Sequence, residues 1–250
     1  MILNTIYILW LRQLKRYWRS RARMLGSLGQ PILFLVALGF GFGPIYEKAG
    51  GGNYINFLAP GVITMSILFT AMFTGIELIW DRQFGFLKET LVAPVSRLSI
   101  FVGRTLGGAT VACAQGIIVF LITLLIGFRP VSYSMLPIAI LFMFLIGLLF
   151  TALGTAIATF MQDMQAFPII INFIIMPLFF LSGALFPIDN VPEGLALTAR
   201  FNPLSYGVDG LRAALSSSTH FGIPMDILIL AGSTALLFGL GAYFFSKIQI

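Results

Sequence analysis

The sequence predicts an all-α integral membrane protein with six membrane-spanning helices. Of its 250 residues, 58% are hydrophobic and only 10% are charged, whereas soluble chains average about 45–50% apolar and about 25% charged residues. Because a soluble core of this size cannot hide so much apolar surface, the solvent around the chain has to be lipid. Spans of about 20 residues each use about half of the chain, so we expect one transmembrane domain over residues 1–250.

Six long apolar segments, separated by shorter polar ones, supply these spans. They lie near residues 26–46, 57–79, 104–127, 135–160, 166–186 and 224–246. Prolines inside them, such as Pro31, Pro168 and Pro177, are compatible with membrane helices because neighbouring groups bond the carbonyls that proline frees.

Residues 1–25 predict an amphipathic helix before the first span. At about 100° per residue, one face is basic and the opposite face is apolar. The basic face holds Arg12, Arg16, Arg19 and Arg23, and the apolar face holds Leu3, Ile6, Trp10, Leu14 and Tyr17. Such a helix lies in the membrane interface, although the same charges also fit a simple topology anchor with no further role.

The basic residues also predict the orientation of the chain. With the N-terminus in the cytoplasm, eleven of the fifteen Lys and Arg residues fall in cytoplasmic segments and four fall outside. Since positive charge favours the cytoplasmic side, we expect a multi-pass protein of the cell (plasma or inner) membrane with both termini cytoplasmic. Six basic residues lie between Arg12 and Arg23, so the net charge of +6 predicts binding to anionic lipid rather than to nucleic acid.

The sequence lacks motifs for catalysis and cofactor binding. There is no G-x-x-x-x-G-K-[ST] loop to hold ATP phosphates, and Cys113 and His220 are the only residues of their types. One thiol and one imidazole predict neither a disulfide nor a metal site, and no span holds a histidine that would activate a serine. Glu77 lies near the end of its span, where it can snorkel towards water. We therefore expect a chain that is not an enzyme, has no catalytic residues and binds no cofactor.

The connection between the second and third spans predicts a docking segment. Residues 81–97 mix charged side chains with Phe84, Phe86, Leu87 and Leu91, which a simple tether does not need. Such a segment suits a short helix that docks into a groove of a partner protein, and a solvated surface helix is the alternative.

The connection between the fifth and sixth spans predicts two external re-entrant helices. Residues 194–197 and 204–215 are semi-apolar but too short to span, and prolines separate them. The candidate gate residues of this connection are Asn202, Pro203, Tyr206, Asp209 and Arg212. Asp209 and Arg212 are three positions apart and can pair on a helix, so this region is either a gate above the translocation path or a local structural ion pair.

Two polar residues lie deep in the third and fifth spans, Gln115 and Asn172. Each either hydrogen-bonds a neighbouring helix or lines a substrate path.

The connection between the second and third spans and the one between the fifth and sixth spans resemble those of the type-2 ABC-transporter permease family. That family includes drug-resistance exporters and polysaccharide or lipo-oligosaccharide exporters. In the first connection the similarity covers residues 82–85, Leu87 and residues 91–97, although the family often has Gly-Thr-Leu where this chain has Gly85, Phe86 and Leu87. In the second it covers residues 181–183, 186–187, 199–206 and 209–212. The two motifs occur in order and at matching topological positions, so the resemblance extends over nearly the whole chain.

The resemblance implies the permease subunit of an ATP-driven exporter, in which two permease copies pair with two separate ABC ATPase subunits that bind ATP and Mg²⁺. It implies contact with the ATPase through the amphipathic helix and a coupling helix in the first connection. The implied contact residues of that connection are Arg82, Phe84, Gly85, Leu87, Glu89, Leu91, Pro94 and Arg97. We expect an amphipathic cargo, a drug, lipid or lipid-linked glycan. A stand-alone channel or secondary carrier is the alternative, and an intramembrane enzyme is a third hypothesis.

Overall fold

A computed structural model describes residues 2–50, 52–188 and 192–248 of the chain. Within these residues the protein forms ten α-helices joined by short connections, with one 3₁₀ turn at Tyr133–Met135. The helices are α1 (Ile2–Arg19), α2 (Arg21–Lys48), α3 (Tyr54–Gln83), α4 (Phe86–Val92), α5 (Arg97–Ile126), α6 (Leu136–Phe160), α7 (Ala166–Phe180), α8 (Glu193–Phe201), α9 (Pro203–Ser216) and α10 (Ile223–Ser246). Residues 189–191 of the predicted external connection lie outside the described residues.

Five of the helices in the described part are long and apolar enough to cross a membrane: α2, α3, α5, α6 with its preceding turn, and α10. They confirm the prediction of an all-α integral membrane protein. The predicted span over residues 166–186 is helical only in α7, whose 15 residues extend about 22 Å, less than the bilayer core of about 30 Å. The chain leaves the helix after Phe180, and Gly183, with φ +75°, turns it back towards α3.

Helix α3 lies at the centre of the bundle and packs against α2, α5, α6 and α9. Small residues allow this packing, as in many membrane helix pairs. A Cβ atom added to Gly75 would lie 2.4 Å from the carbonyl oxygen of Gly154 on α6. On α5, Gly108 sits between Thr74 of α3 and Thr151 of α6. Thr74 and Thr151 therefore lie at close contacts between helices.

Helix α1 packs along α5 through two glycines. A Cβ atom on Gly103 would lie 2.9 Å from the Cβ of Leu9, and one on Gly107 would lie 2.7 Å from the Cβ of Gln13. Leu9, Gln13 and Tyr17, one turn apart, form the buried face of α1, while Leu3 of the predicted apolar face is exposed. The face of α1 that lies against these two glycines is the buried one. The pattern of apolar residues in α1 alone does not predict this, because it does not show where the glycines of α5 lie.

The predicted amphipathic helix over residues 1–25 is shorter in the structure. Ser20, with φ −94° and ψ 68°, departs from helical geometry and separates α1 from α2. Arg23 therefore lies on α2, not on the same helix as Arg12, Arg16 and Arg19. Serine competes for backbone hydrogen bonds and so favours helix ends over helix interiors, which fits a break at this position.

Candidate functional site

Helix α4 begins at a glycine and ends just before a proline. Gly85 precedes α4 with φ +82°, a left-handed conformation that side chains with a Cβ rarely adopt. Ala93, next to Pro94, has extended geometry, as residues before proline prefer. Ser96 then accepts a hydrogen bond from the Ser99 amide and starts α5. Turn chemistry thus sets α4 apart as a separate short helix between α3 and α5.

The side chains of this connection divide into anchors and exposed contacts. Leu87 is buried and Leu91 is half-buried, so α4 is fastened to the bundle by its apolar face. Phe84 is 62% exposed, and Glu89 and Pro94 are also exposed. The predicted contact residues therefore include a solvent-facing set around Phe84 and a buried set around Leu87.

A groove of about 800 Å³ separates this connection from α1. One wall is aromatic, with Trp80, Phe84 and Phe86. The other wall is basic and carries Arg12, Lys15, Arg16 and Arg19. This wall contains three of the four predicted basic-face residues, and the groove offers an acidic partner both charge and apolar contact.

Two arginines at either end of the α4 connection bind the C-terminal ends of other helices. Arg82 donates to the carbonyls of Thr159 and Met161 at the end of α6, each at 3.0 Å. Arg97 donates to the carbonyls of Ser246 at 2.6 Å and Ile248 at 2.9 Å, at the end of α10. The last carbonyls of a helix lack intrahelical partners and carry partial negative charge, so guanidinium groups suit them well. The connection is thereby tied to α6 and α10.

Beside α4, an ion cluster joins α1, α2, α3 and α5. On α3, Asp81 lies 3.2 Å from Arg12, 3.6 Å from Arg16 and 2.8 Å from Arg104. One turn earlier, Glu77 pairs with Arg23 and lies 3.6 Å from Arg16. The ion cluster thus consists of Arg12, Arg16, Arg23, Glu77, Asp81 and Arg104.

The ion cluster is the feature of this region that the sequence analysis did not predict. Glu77 does not snorkel as expected, because it is buried against two arginines. Arg104, one of the eleven basic residues counted as cytoplasmic, is only 5% exposed. A signal was present in the sequence: carboxylates four residues apart on α3 match arginines four residues apart on α1. Buried charges require such pairing, because an isolated one costs several kcal/mol or more.

Gln115 is fully buried and accepts a hydrogen bond from the hydroxyl of Tyr17 on α1. Burial raises the pKa of Tyr17 to about 12, so this hydroxyl stays protonated and donates at physiological pH. Trp10 donates to Thr110 at 3.0 Å and fastens the same two helices. Asn172, in contrast, is exposed on α7. The described contact of Gln115 is helix packing, and Asn172 faces the surroundings of the chain.

At the opposite end of the bundle, Asn202 and Pro203 start the second of the two predicted short helices. Asn202 accepts a hydrogen bond from the Leu204 amide at 3.0 Å and donates to the Leu178 carbonyl at 2.6 Å. Pro203 occupies the first turn, where its missing N–H costs nothing. Tyr206 donates to the Arg200 carbonyl at 2.9 Å. These bonds fix the corner between α8 and α9, and α9 is buried from Leu204 to Leu215.

The contacts described for Asp209 and Arg212 run to other parts of the chain. Asp209 accepts from Thr219 and from the amides of His220 and Phe221, at 2.8–2.9 Å, and so holds the turn before α10. Arg212 donates to the Gly183 carbonyl at 2.9 Å and lies 4.1 Å from the centre of the Phe57 ring. Both residues fasten α9 in place.

Asp226 lies in the first turn of α10 and is fully buried. Neither of its carboxylate oxygens has a hydrogen-bond partner among the described residues. Nowhere in that part of the chain do three His, Cys, Asp or Glu side chains gather closely enough to hold a metal ion.

Long apolar helices, a separate short helix between two of them and an ion cluster beside it describe a multi-pass membrane protein. The chain belongs to the ABC-2 type transporter family, whose sequence model matches residues 4–216. The resemblance drawn from the two connections is therefore confirmed, and the chain is a transport permease.

Its relatives include permeases and nodulation proteins. The putative transport permease ycf38 of Porphyra purpurea is 30% identical over 223 residues, covering 87% of this chain and 76% of that protein. Nodulation protein J of Rhizobium leguminosarum bv. trifolii is 31% identical over 199 residues, covering 78% of this chain and 75% of the relative. Nodulation protein J of Rhizobium leguminosarum bv. viciae is 29% identical over 220 residues, covering 85% of this chain and 83% of that protein.

Proposed function

We propose that this chain is the membrane subunit of an ATP-driven exporter, powered by separate ABC ATPase subunits that bind the groove between α1 and α4. The observation that carries the proposal is the exposed aromatic and basic groove next to a helix whose flanking arginines hold α6 and α10. The ATP and Mg²⁺ belong to the partner subunits. This chain contributes the contact surface and the translocation path.

Movement of α4 has direct routes into the bundle. A partner that displaces α4 pulls on the ends of α6 and α10 through Arg82 and Arg97, since both side chains hold main-chain carbonyls. The ion cluster carries displacement of α1 to α3 and α5. Closure of two ATPase subunits would thus change how the spans pack, as in other transitions that shift helices at interfaces.

We place the α4 end in the cytoplasm, with both termini on that side of a plasma or inner membrane. Eleven of the fifteen basic residues then lie inside, in agreement with the positive-inside rule. ATPase subunits supplied with cytoplasmic ATP also require the groove on this side.

We propose a homodimeric permease and an amphipathic cargo: a drug, a lipid or a lipid-linked glycan. Exposed aromatic side chains on α2 and α7, including Phe40, Phe42 and Phe173, support contact with lipid or with a second copy. The exposed Asn172 lies on the same helix as Phe173 and offers a polar group to such a seam or path.

The first test is copurification of the tagged chain with its ATPase partner from native membranes, followed by an ATPase assay. We expect a complex of two permeases and two ATPase chains that hydrolyses ATP. Replacing Phe84 and Phe86 with serine should abolish copurification. The control is Val131→Ser, which should leave the complex intact because Val131 is an exposed apolar residue that does not line the groove.

A chain that purifies alone after crosslinking and moves solutes under an ion gradient would overturn the proposal. That result would establish a stand-alone channel or secondary carrier instead.

A further inference from the structure

A cavity of about 560 Å³ lies between α1, α2, α3 and α5, next to the ion cluster. Along α3 it extends from Glu77 to Ser66, about 16 Å at 1.5 Å per residue. Arg16 and Arg23 line its charged end, and Phe69 and Phe73 line an apolar wall. The volume falls in the range of about 300–1,000 Å³ that small-molecule sites occupy. The cavity is therefore elongated, charged at one end and apolar along its side.

Three buried polar atoms that belong to the cavity wall have no hydrogen-bond partner among the described residues. They are the Ser66 hydroxyl, the Thr70 hydroxyl and Oε2 of Glu77. The Glu77 and Ser66 side chains are almost completely buried. Most buried polar groups in folded proteins are hydrogen-bonded. Three such atoms without a described partner on one wall therefore indicate a ligand that supplies both donors and acceptors.

The charge of the ion cluster adds a second requirement. Four guanidinium groups meet two carboxylates, which leaves an excess of two positive charges. Arg16 and Arg23 line the cavity, so part of the excess positive charge lies at its wall. The Arg23 side chain is half exposed. Guanidinium forks bind phosphate oxygens in pairs. The charge at this end of the cavity therefore favours an anion.

We propose that this cavity binds the headgroup of an anionic amphiphile: a phosphate ester that also carries hydroxyl or amino donors. The phosphate binds Arg16 and Arg23, and a donor of the headgroup satisfies Oε2 of Glu77. The ester linkage reaches the hydroxyls of Ser66 and Thr70, and the start of an acyl or prenyl chain lies against Phe69 and Phe73. A resident membrane phospholipid and a phosphate-bearing cargo share this chemistry.

Native mass spectrometry of the detergent-purified full chain tests the site with two lipids. Phosphatidylglycerol has a net negative charge and two hydroxyl donors, whereas phosphatidylcholine has no net charge and no donor. We expect one phosphatidylglycerol to be retained under conditions that remove phosphatidylcholine. Equal retention of both lipids would overturn the proposal.

Matched variants separate this site from general attraction to charge. Arg23→Gln should weaken phosphatidylglycerol binding about tenfold, the effect of losing a charge-assisted hydrogen bond. Arg21→Gln removes the same charge from an exposed position two residues away, outside the cavity lining, and should change binding less than about twofold. Equal losses in the two variants would show that the lipid binds the basic surface alone.

The double variant Ser66→Ala, Thr70→Val keeps the ion cluster and removes two hydroxyls that have no hydrogen-bond partner within residues 2–50, 52–188 and 192–248. Binding should weaken although the lipid-free chain stays folded and is at least as stable, a combination that a purely structural role does not produce. Undiminished binding would place the lipid elsewhere.

The two sources of the headgroup differ after assembly with the ATPase. In nanodiscs, ATP turnover should leave a resident lipid bound and should move a labelled cargo lipid to the opposite leaflet. In both cases a lipid occupies the cavity, as the proposal requires. The binding assays use this chain alone, so they give the same answer if the proposed ATPase partnership fails.

Discussion

Nη1 of Arg104 lies 2.8 Å from Oδ2 of Asp81, and both side chains are only 5% exposed. This pair joins α3 to α5 directly behind the groove that α1 and α4 form. Arg12 and Arg16 approach the same carboxylate from α1, so Asp81 is where three helices meet. Loss of the pair would loosen the end of the bundle that we propose receives the force of ATP hydrolysis.

Arg104→Leu should destabilise the protein by on the order of 3 kcal/mol, because it leaves Asp81 buried with weaker partners. Thermal unfolding in detergent, followed by tryptophan fluorescence, measures the change. Arg200→Leu is the control, since it removes an exposed arginine, and its unfolding temperature should stay near that of the unaltered chain. A similar small effect at Arg104 would mean that the ion cluster adds little stability.

Gly85→Val should uncouple transport from ATP hydrolysis, because a β-branched residue strains a backbone with φ +82° and misplaces α4. Gly50→Val is a closely matched control. Gly50 also has φ +82° and open space around it, but it lies at the far end of the bundle. The measurement is cargo moved per ATP hydrolysed in proteoliposomes. Equal ratios in the two variants would remove any special role of α4.

Arg82→Met and Arg97→Met should each lower transport several-fold while ATP hydrolysis continues, because each cuts the bond between the α4 connection and a helix end. Lysine keeps the charge and one donor direction, so Arg97→Lys should recover part of the transport. Lys48→Met, which removes an exposed charge at the other end of the bundle, serves for comparison. Normal transport by both methionine variants would contradict the route through α6 and α10.

Asp226→Asn and Asp209→Asn should have opposite effects on stability. Asp226 is buried with no hydrogen-bond partner in the described part of the chain, so removing its charge should raise the unfolding temperature. Asp209 holds three donors of the turn before α10. Its loss should cost about 1–3 kcal/mol and lower that temperature. Unfolding scans of the two isosteric variants at neutral pH decide the matter, and a fall for Asp226→Asn would imply a binding partner for that carboxylate.

Hydrophobic segment lengths predicted most of the fold, since span length follows directly from bilayer thickness. Helices α3, α5, α6 and α10 overlap their predicted spans closely. The prediction over residues 166–186 was too long because the chain turns at Gly183 within a segment that is mostly apolar. The Ser182-Gly183 dipeptide is a local turn signal, which the hydrophobicity of the surrounding residues outweighed.

The candidate site was only partly predictable. Sequence similarity identified the α4 connection, but the residues that hold it in place bind main-chain carbonyls of α6 and α10, which carry no side-chain signature. Likewise, the pairing of Arg104 with Asp81 depends on the packing of α5 against α3. Pairings between distant helices depend on tertiary packing that one sequence does not reveal.

The attachment of α1 to α5 has a consequence for synthesis of the protein. Trp10 and Thr110 are 100 positions apart in the chain, and Tyr17 and Gln115 are 98 apart. At about 5–20 residues per second, the ribosome needs on the order of 5–20 s to make the partner of a helix that it has already released. Asp81 follows Arg12 by 69 positions, so the arginines of α1 lack this carboxylate until α3 is made and remain with water or lipid headgroups until then. The first helix to be made therefore completes its docking only after α5 has been made.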